Sequence, residues 1–256
     1  MLSSETTVPT AVYPSPPPYR LNLGSGRSVH QDGWLNCDLS PGPAVDAVFS
    51  ADTDPWPFPD HSVQEIYCCH VLEHLAHPAA FFQEAHRVLQ PNGILLIRVP
   101  FGGHHAAWWD WTHLRPWYAE SFCGVQPGYN ERTGNPQHDG SDAYPFGVHI
   151  IKLRVGFQLA TMLRHWWWRW VFARYASFFD PMIEEIWAHL YALKTPDAIE
   201  QYQATHQANI VGSEFVAWEF QYRGVAPHPT ENKLIAIGGG PIFGAYLHRI
   251  ASEERG

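Results

Sequence analysis

Leu21-Asn22-Leu23-Gly24-Ser25-Gly26 is the stretch that decides the reading of this chain. An apolar run, Tyr19–Leu23, has the look of a strand and breaks at two glycines. Glycines at such a point let backbone amides approach a ligand closely, and a helix N-terminus beyond them favours an anionic group. A plain tight turn uses the same residues, so the context has to decide. The next strand-like run, Trp34–Asp38, ends on a carboxylate, where one side chain can accept both hydroxyls of a ribose. Two details separate the site from a dinucleotide turn. Val29 stands where a third glycine would be, and Asp38 follows Gly26 after 12 residues rather than the usual interval of about 20. A nucleoside ligand without a pyrophosphate fits better.

Working outward, short apolar runs alternate with helical patterns, the signature of an α/β sheet with parallel units. Strands are expected at Tyr19–Leu23, Trp34–Asp38, Ala44–Phe49, Glu65–Cys69 and Ile94–Val99, with a helix over Pro78–Leu89. Phe81, Phe82, Ala85, Val88 and Leu89 recur at helical spacing, and Pro91-Asn92-Gly93 stops the pattern. Beyond Pro100 the texture changes to a His-, Trp- and Gly-rich segment over 101–118. A sixth strand is expected at Val148–Val155, helices over 157–194, and strand-like runs at Glu214–Tyr222 and Leu234–Ile237. Prolines 9, 14, 16, 17 and 18 mark residues 1–18 as a flexible leader. The expected organisation is that leader, a core over 19–156, and an elaboration over 157–256 belonging to the same domain.

The composition narrows the function classes. The 256 residues are 45% hydrophobic with a formal charge of −9, so the chain is globular and lacks a general basic footprint for nucleic acid. Four cysteines, none in a C-x-x-C pair, fit neither a disulfide framework nor a structural zinc site, and no metal is expected. No signal peptide is visible at Met1–Thr10, and charges interrupt the apolar stretch around Trp166–Trp170. The expectation is a cytoplasmic protein.

Four blocks together carry a resemblance: LNLGSG (21–26), GWLNCDL (33–39), PWPFPDHSVQEIYCCHVLEHL (55–75) and FFQEAHRVLQPNGILLIRVP (81–100). In order and spacing this region resembles the class I S-adenosylmethionine-dependent methyltransferases of the methyltransferase type 11 kind. DWTHLRPWYAESF (110–122) is similar to the D-x-T-H-x-R segment many of them carry after the fifth strand. The resemblance implies a Rossmann-like doubly wound sheet of about seven strands, with a helical, Trp-rich C-terminal elaboration. It implies S-adenosyl-L-methionine as cofactor. Asn22, Gly24, Ser25 and Gly26 would line its methionine and ribose part, Asp38 would take the ribose hydroxyls, Asp52 would contact the adenine amine, and His70 would sit near the sulfonium. The chain departs from the pattern at Asn22, where an acid is common, and at Ser28, where a third glycine is common. Ala51 aligns as well as Asp52, and Asp54 is close by. Glu73-His74 reads as a brace for the following helix.

The acceptor side falls just after the fifth strand, at the sheet edge where ligands bind in such folds. Methyl transfer is a displacement, so alignment and desolvation of the nucleophile come first, and an oxygen or nitrogen acceptor also needs a base. His113 is the expected base with Asp110 orienting it, Arg115 the holder of an anionic substrate group, and Trp109 part of an aromatic wall over the acceptor. An internal Asp110–Arg115 ion pair and a Trp-filled lid are the structural alternatives. The expected substrate is a small molecule or glycan. The acidic balance and the absence of an amino-methylation motif after the fourth strand weigh against nucleic acid. The Trp166–Trp170 stripe with its arginines fits core, a homodimer contact or a peripheral membrane contact. A homologue that binds the cofactor without catalysis is the remaining alternative.

Overall fold

Among the described residues, nine strands form one mixed sheet. They are β1 (Tyr19–Leu23), β2 (Leu35–Asp38), β3 (Ala47–Val48), β4 (Val63–Cys69), β5 (Leu89–Pro100), β6 (Phe146–Val155), β7 (Ile183–Ala192), β8 (Val216–Phe220) and β9 (Ile235–Ala236). The computed structural model describes residues 13, 16–26, 33–53, 55–129, 143–155, 165, 167–168, 171, 183–206, 216–220 and 235–236. The order across the sheet is β3-β2-β1-β4-β5-β7-β6-β8-β9. The first seven of these give the doubly wound, Rossmann-like arrangement, and β8 and β9 extend it at the β6 edge. From β3 to β5 every pairing is parallel, whereas β7 runs antiparallel to both β5 and β6. The chain starts at β1, winds outward to β3, then returns to β4 on the other side of β1. Ligands in such sheets bind in the crevice outside the carboxyl ends of the strands at that reversal.

The core lies on one face of the central strands, where alternate residues of neighbouring strands meet in register. Leu21 and Leu23 of β1, Ile66 and Cys68 of β4, and Leu95, Ile97 and Val99 of β5 are all buried. The helix α1 (Pro78–Val88) follows the expected spacing: a proline opens it and Phe81, Phe82, Ala85 and Val88 form its buried stripe. Buried Glu84 on α1 accepts the Trp56 amide at 2.6 Å and pairs with Arg87, whose guanidinium also reaches the carbonyls of Trp56 and Phe58. That clamp fixes the Pro-Trp-Pro-Phe loop against the sheet and seats Trp56 and Phe58 in the core. The second helix, α2 (Pro196–His206), sends the Tyr202 hydroxyl to Gln126 Oε1 while accepting the Val148 amide.

Three local expectations need correction. Pro91-Asn92-Gly93 interrupts the strand rather than preceding it: Leu89 already pairs with Val63, and pairing resumes at Ile94 with Glu65. The helical reading of 157–194 fails at its end, where β7 occupies Ile183–Ala192. Ile186, Ala188, Leu190 and Ala192 are buried at a two-residue period, a strand signal overridden in the sequence by the preceding Trp stripe. Within the residues read as a leader, Tyr13 stacks on Phe58 at 5.0 Å and donates to the Pro57 carbonyl.

Most of the Trp166–Trp170 stripe lies outside the described residues. Trp167 and Trp168 stack with ring centroids 4.6 Å apart. No helix among the described residues is long and apolar enough to cross a membrane.

Candidate functional site

A cavity of about 400 Å³ opens beyond the carboxyl ends of β1, β2 and β4, a size within the roughly 300–1,000 Å³ of small-molecule sites. Gly24, Asp38, Asp52, His70 and His74 are among its walls. The glycine turn is held by two bonds: the Ser25 amide donates to the Cys37 carbonyl at 3.0 Å, and the Gly26 amide donates to Asp38 Oδ2 at 2.8 Å. Gly24 and Gly26 have φ of +64° and +48°, a region that disfavours any side chain. A Cβ on Gly24 would lie 2.2 Å from Val71 Cγ2, so neighbouring protein already excludes it, while the space around Gly26 is open. Ser25 is 2% exposed and its Oγ has no hydrogen-bond partner.

The expected cofactor residues divide. Asp38 lies on the cavity wall, each oxygen accepting one amide, from Gly26 and from Ser40. A carboxylate oxygen has capacity for more than one bond. Asp52 also lines the cavity, but both its oxygens accept amides of the following turn, Ala76 at 2.9 Å and His77 at 2.6 Å. Asn22 is buried between strands, where its amide donates to Asn36 across β2, and it is not on the cavity wall.

His70 is on the wall in a particular state. Its Nε2 meets Glu185 Oε1 at 3.1 Å and its Nδ1 meets Glu73 Oε1 at 3.0 Å. These two hydrogen bonds outweigh burial and raise its pKa to about 10. The imidazole is therefore a cation at neutral pH with both N–H groups engaged, and it has no lone pair with which to accept a proton. Burial would raise the Glu185 carboxyl, but the bonds from His70, Arg98 and the Trp187 indole hold it well below the usual carboxylate range.

The loop after β5 folds back over the short 3₁₀ turn Leu72–His74, with the Leu114 amide donating to the Glu73 carbonyl at 2.8 Å. Proton bookkeeping fixes two tautomers there. Thr112 directs its hydroxyl hydrogen to Asp110 Oδ1 at 2.7 Å, so it acts as acceptor toward His74 Nδ1 at 3.1 Å. His74 Nδ1 thus carries the proton, and Nε2 keeps its lone pair. His113 Nδ1 lies 3.2 Å from the Ala107 carbonyl, which only accepts, so in the neutral ring the proton sits on Nδ1 and the lone pair on Nε2. The rings are 4.8 Å apart.

Asp110, in contrast to its expected role, lies 3.9 Å from His113 Nε2, beyond hydrogen-bond reach. Its close partner is Thr112, whose bonds lower its pKa. Arg115 donates to the Ala76 carbonyl at 3.0 Å, on the same turn that Asp52 holds. The indoles of Trp108, Trp109 and Trp111 are 63%, 78% and 89% exposed, which excludes a Trp-filled lid among these residues. The sequence reading missed His74 as a site residue. Its only signal is a pair of histidines, at 74 and 113, too distant in sequence to be associated.

Residues 35–97 match the family model described as a methyltransferase domain. The matched stretch runs from β2 into β5 and is similar to methyltransferase domains, for which S-adenosylmethionine is the expected methyl donor. The matched residues are about a quarter of the chain, and the glycine turn of β1 precedes them. No curated protein matches the sequence. Similar solved structures include an S-adenosylmethionine-dependent methyltransferase from Mesorhizobium loti, with 13% identity, 68% of this chain and 90% of that chain covered, and a TM-score of 0.42. Another is a methyltransferase of the same kind from Archaeoglobus fulgidus, with 11% identity, 68% and 86% coverage, and a TM-score of 0.42. A third is the [4+2]-cyclase SpnF, at 15% identity, 69% and 75% coverage, and a TM-score of 0.41.

Proposed function

We propose that the protein transfers a methyl group from S-adenosylmethionine to an oxygen or nitrogen of a small-molecule or glycan acceptor. The observation that carries this reading is one wall of the cavity. Gly24, Asp38 and His74 line it together, and the His74 Nδ1 contacts to Thr112 leave Nε2 outside those bonds. Asp38 would accept the ribose hydroxyls, as its place at the end of β2 favours. The turn at Gly24, Ser25 and Gly26 would pass along the cofactor, and the buried Ser25 Oγ has an acceptor and a donor to offer. Asp52 shapes the adenine end through the Ala76–His77 turn. His70, its two N–H groups bonded to Glu73 and Glu185, serves as a fixed part of the wall rather than as a proton acceptor.

The cofactor supplies the activated methyl group, and the chain supplies alignment and a proton acceptor. His113 and His74 offer that acceptor. Asp110 acts on them indirectly, through the Thr112 hydroxyl on His74 and through its charge near His113. The exposed Trp109, on the same loop as His113, offers a flat apolar face suited to a sugar or planar acceptor. Arg115 stands behind the turn. Its bond to the Ala76 carbonyl braces that turn.

The test is a panel of hydroxyl and amine acceptors, glycans included, with methyl-labelled S-adenosylmethionine. Label transfer that His113→Ala suppresses supports the reading. Label transfer only to nucleic acid, or none despite cofactor binding, overturns the acceptor assignment.

A further inference from the structure

We propose that Glu73, His74 and His113 together bind one divalent transition cation of the zinc type. One ligand atom from each lies within 4.8 Å of the others. Three features make this more than proximity. Glu73 is 1% exposed, and its Oε2 is buried with no hydrogen-bond partner, an arrangement unfavourable for a carboxylate oxygen. Because Oε1 already accepts from His70, Oε2 is the oxygen with full capacity for a cation. In the neutral form of each histidine the Nδ1 proton is held, by Thr112 and by the Ala107 carbonyl, and the lone pair for a ligand bond is on Nε2. A metal-binding imidazole needs that outer arrangement, since the second bond fixes tautomer and ring direction.

The donor set selects the ion. Two imidazoles and one carboxylate are the ligands of open zinc sites, which keep a fourth position for water or substrate. Magnesium and calcium require oxygen donors and are disfavoured here. Asp110, 3.9 Å from His113 Nε2, adds a second negative charge at the rim. Bonds of about 2.0–2.1 Å to zinc put tetrahedral ligand atoms roughly 3.3 Å apart, so binding draws the three groups closer. Exposed His74 is free to make most of that movement. His104 and His105, which flank the same loop, are not part of the group.

Binding itself does not depend on the proposed reaction. One consequence does rest on it: a bound ion occupies both Nε2 lone pairs, so the loaded protein cannot accept the acceptor's proton, and zinc inhibits methyl transfer.

The test uses untagged full-length chain titrated with Co(II), a spectroscopic stand-in for zinc, followed through its visible d–d absorption. One saturable equivalent is expected, displaced by Zn(II) and not by Mg(II). Affinity should fall about ten-fold or more in His74→Ala, the magnitude at which even outer-shell losses are felt. His74 is exposed, so this variant retains the fold. Glu73→Gln, which keeps the side-chain shape, should weaken binding too. Absence of saturable binding, or binding unchanged in both His74→Ala and His113→Ala, overturns the site. Binding with full methyl transfer in the loaded protein leaves the site standing and overturns the base roles of His74 and His113 instead.

Discussion

Gly24→Ala puts a single carbon where the structure has no room for it. The added Cβ sits 2.2 Å from Val71 Cγ2, about 1.5 Å inside ordinary carbon–carbon contact. Val71 cannot swing its methyl away cheaply, because a β-branched side chain has few χ1 choices. The left-handed backbone at Gly24, φ +64°, costs an alanine roughly 1–2 kcal/mol. Overpacking adds about 1–3 kcal/mol, for a total of about 2–5 kcal/mol against the 5–15 kcal/mol of a typical domain. Equilibrium urea denaturation reads this loss directly. Val71→Ala removes the methyl that the new Cβ strikes, so the double variant should recover about 1–3 kcal/mol relative to the sum of the single changes. Strict additivity in that cycle would refute the packing explanation and leave backbone conformation alone.

Three further outcomes follow from the site and its surroundings. His113→Ala should lower turnover by roughly 10²–10⁴-fold with cofactor affinity nearly unchanged, and the pH–rate profile should lose its acidic limb; a destabilised but fully active protein would contradict the base role. Thr112→Val removes the hydroxyl that holds His74 Nδ1 and links it to Asp110, so kcat should fall more than KM changes, while Thr112→Ser retains most activity. Away from the site, burial and the Lys194 charge lower the His86 pKa from 6.5 to about 4, with its Nε2 donating to the Leu193 carbonyl. The unfolded chain takes up that proton first, so the stability tied to neutral His86 is present above pH 6.5 and lost as pH falls through about 4. Urea midpoints across that range should drop more steeply in the wild type than in His86→Gln.

The strands β1, β4 and β5 were legible because apolar residues recur along short runs, as with Leu21 and Leu23 around Asn22, that break at Gly24, His70 and Pro100, and α1 because its apolar stripe keeps one period over 11 residues. β7 was not legible. Its pairing partners, β5 and β6, lie far from it in sequence, and an aromatic-rich run hides its two-residue period. The glycine turn and the place of Asp38 at the cavity were readable, since both follow from where a strand ends. Asn22 and Asp52 show the limit of that approach: spacing places a residue near a sheet edge, but not the direction of its side chain. Asn22 turned to its strand neighbour Asn36, and Asp52 to the amides of the next turn. The pairing of His74 with His113 depends on the loop after β5 folding back across the 38 residues between them, which no local pattern encodes.

The most direct measurement of the central claim is isothermal titration of S-adenosylmethionine into wild-type protein and into Asp38→Ala, with thermal unfolding of both. The expected result is one bound equivalent in the wild type. The affinity of Asp38→Ala should be about ten-fold to a few hundred-fold weaker, because each lost bond to a charged carboxylate contributes roughly 1.5–3 kcal/mol. Asp38 also accepts the Gly26 and Ser40 amides, so a modest fall in melting temperature accompanies the loss of affinity. A folded wild-type protein that does not bind S-adenosylmethionine, or a folded Asp38→Ala that binds it as tightly as wild type, would contradict the assignment of this cavity to the methyl donor.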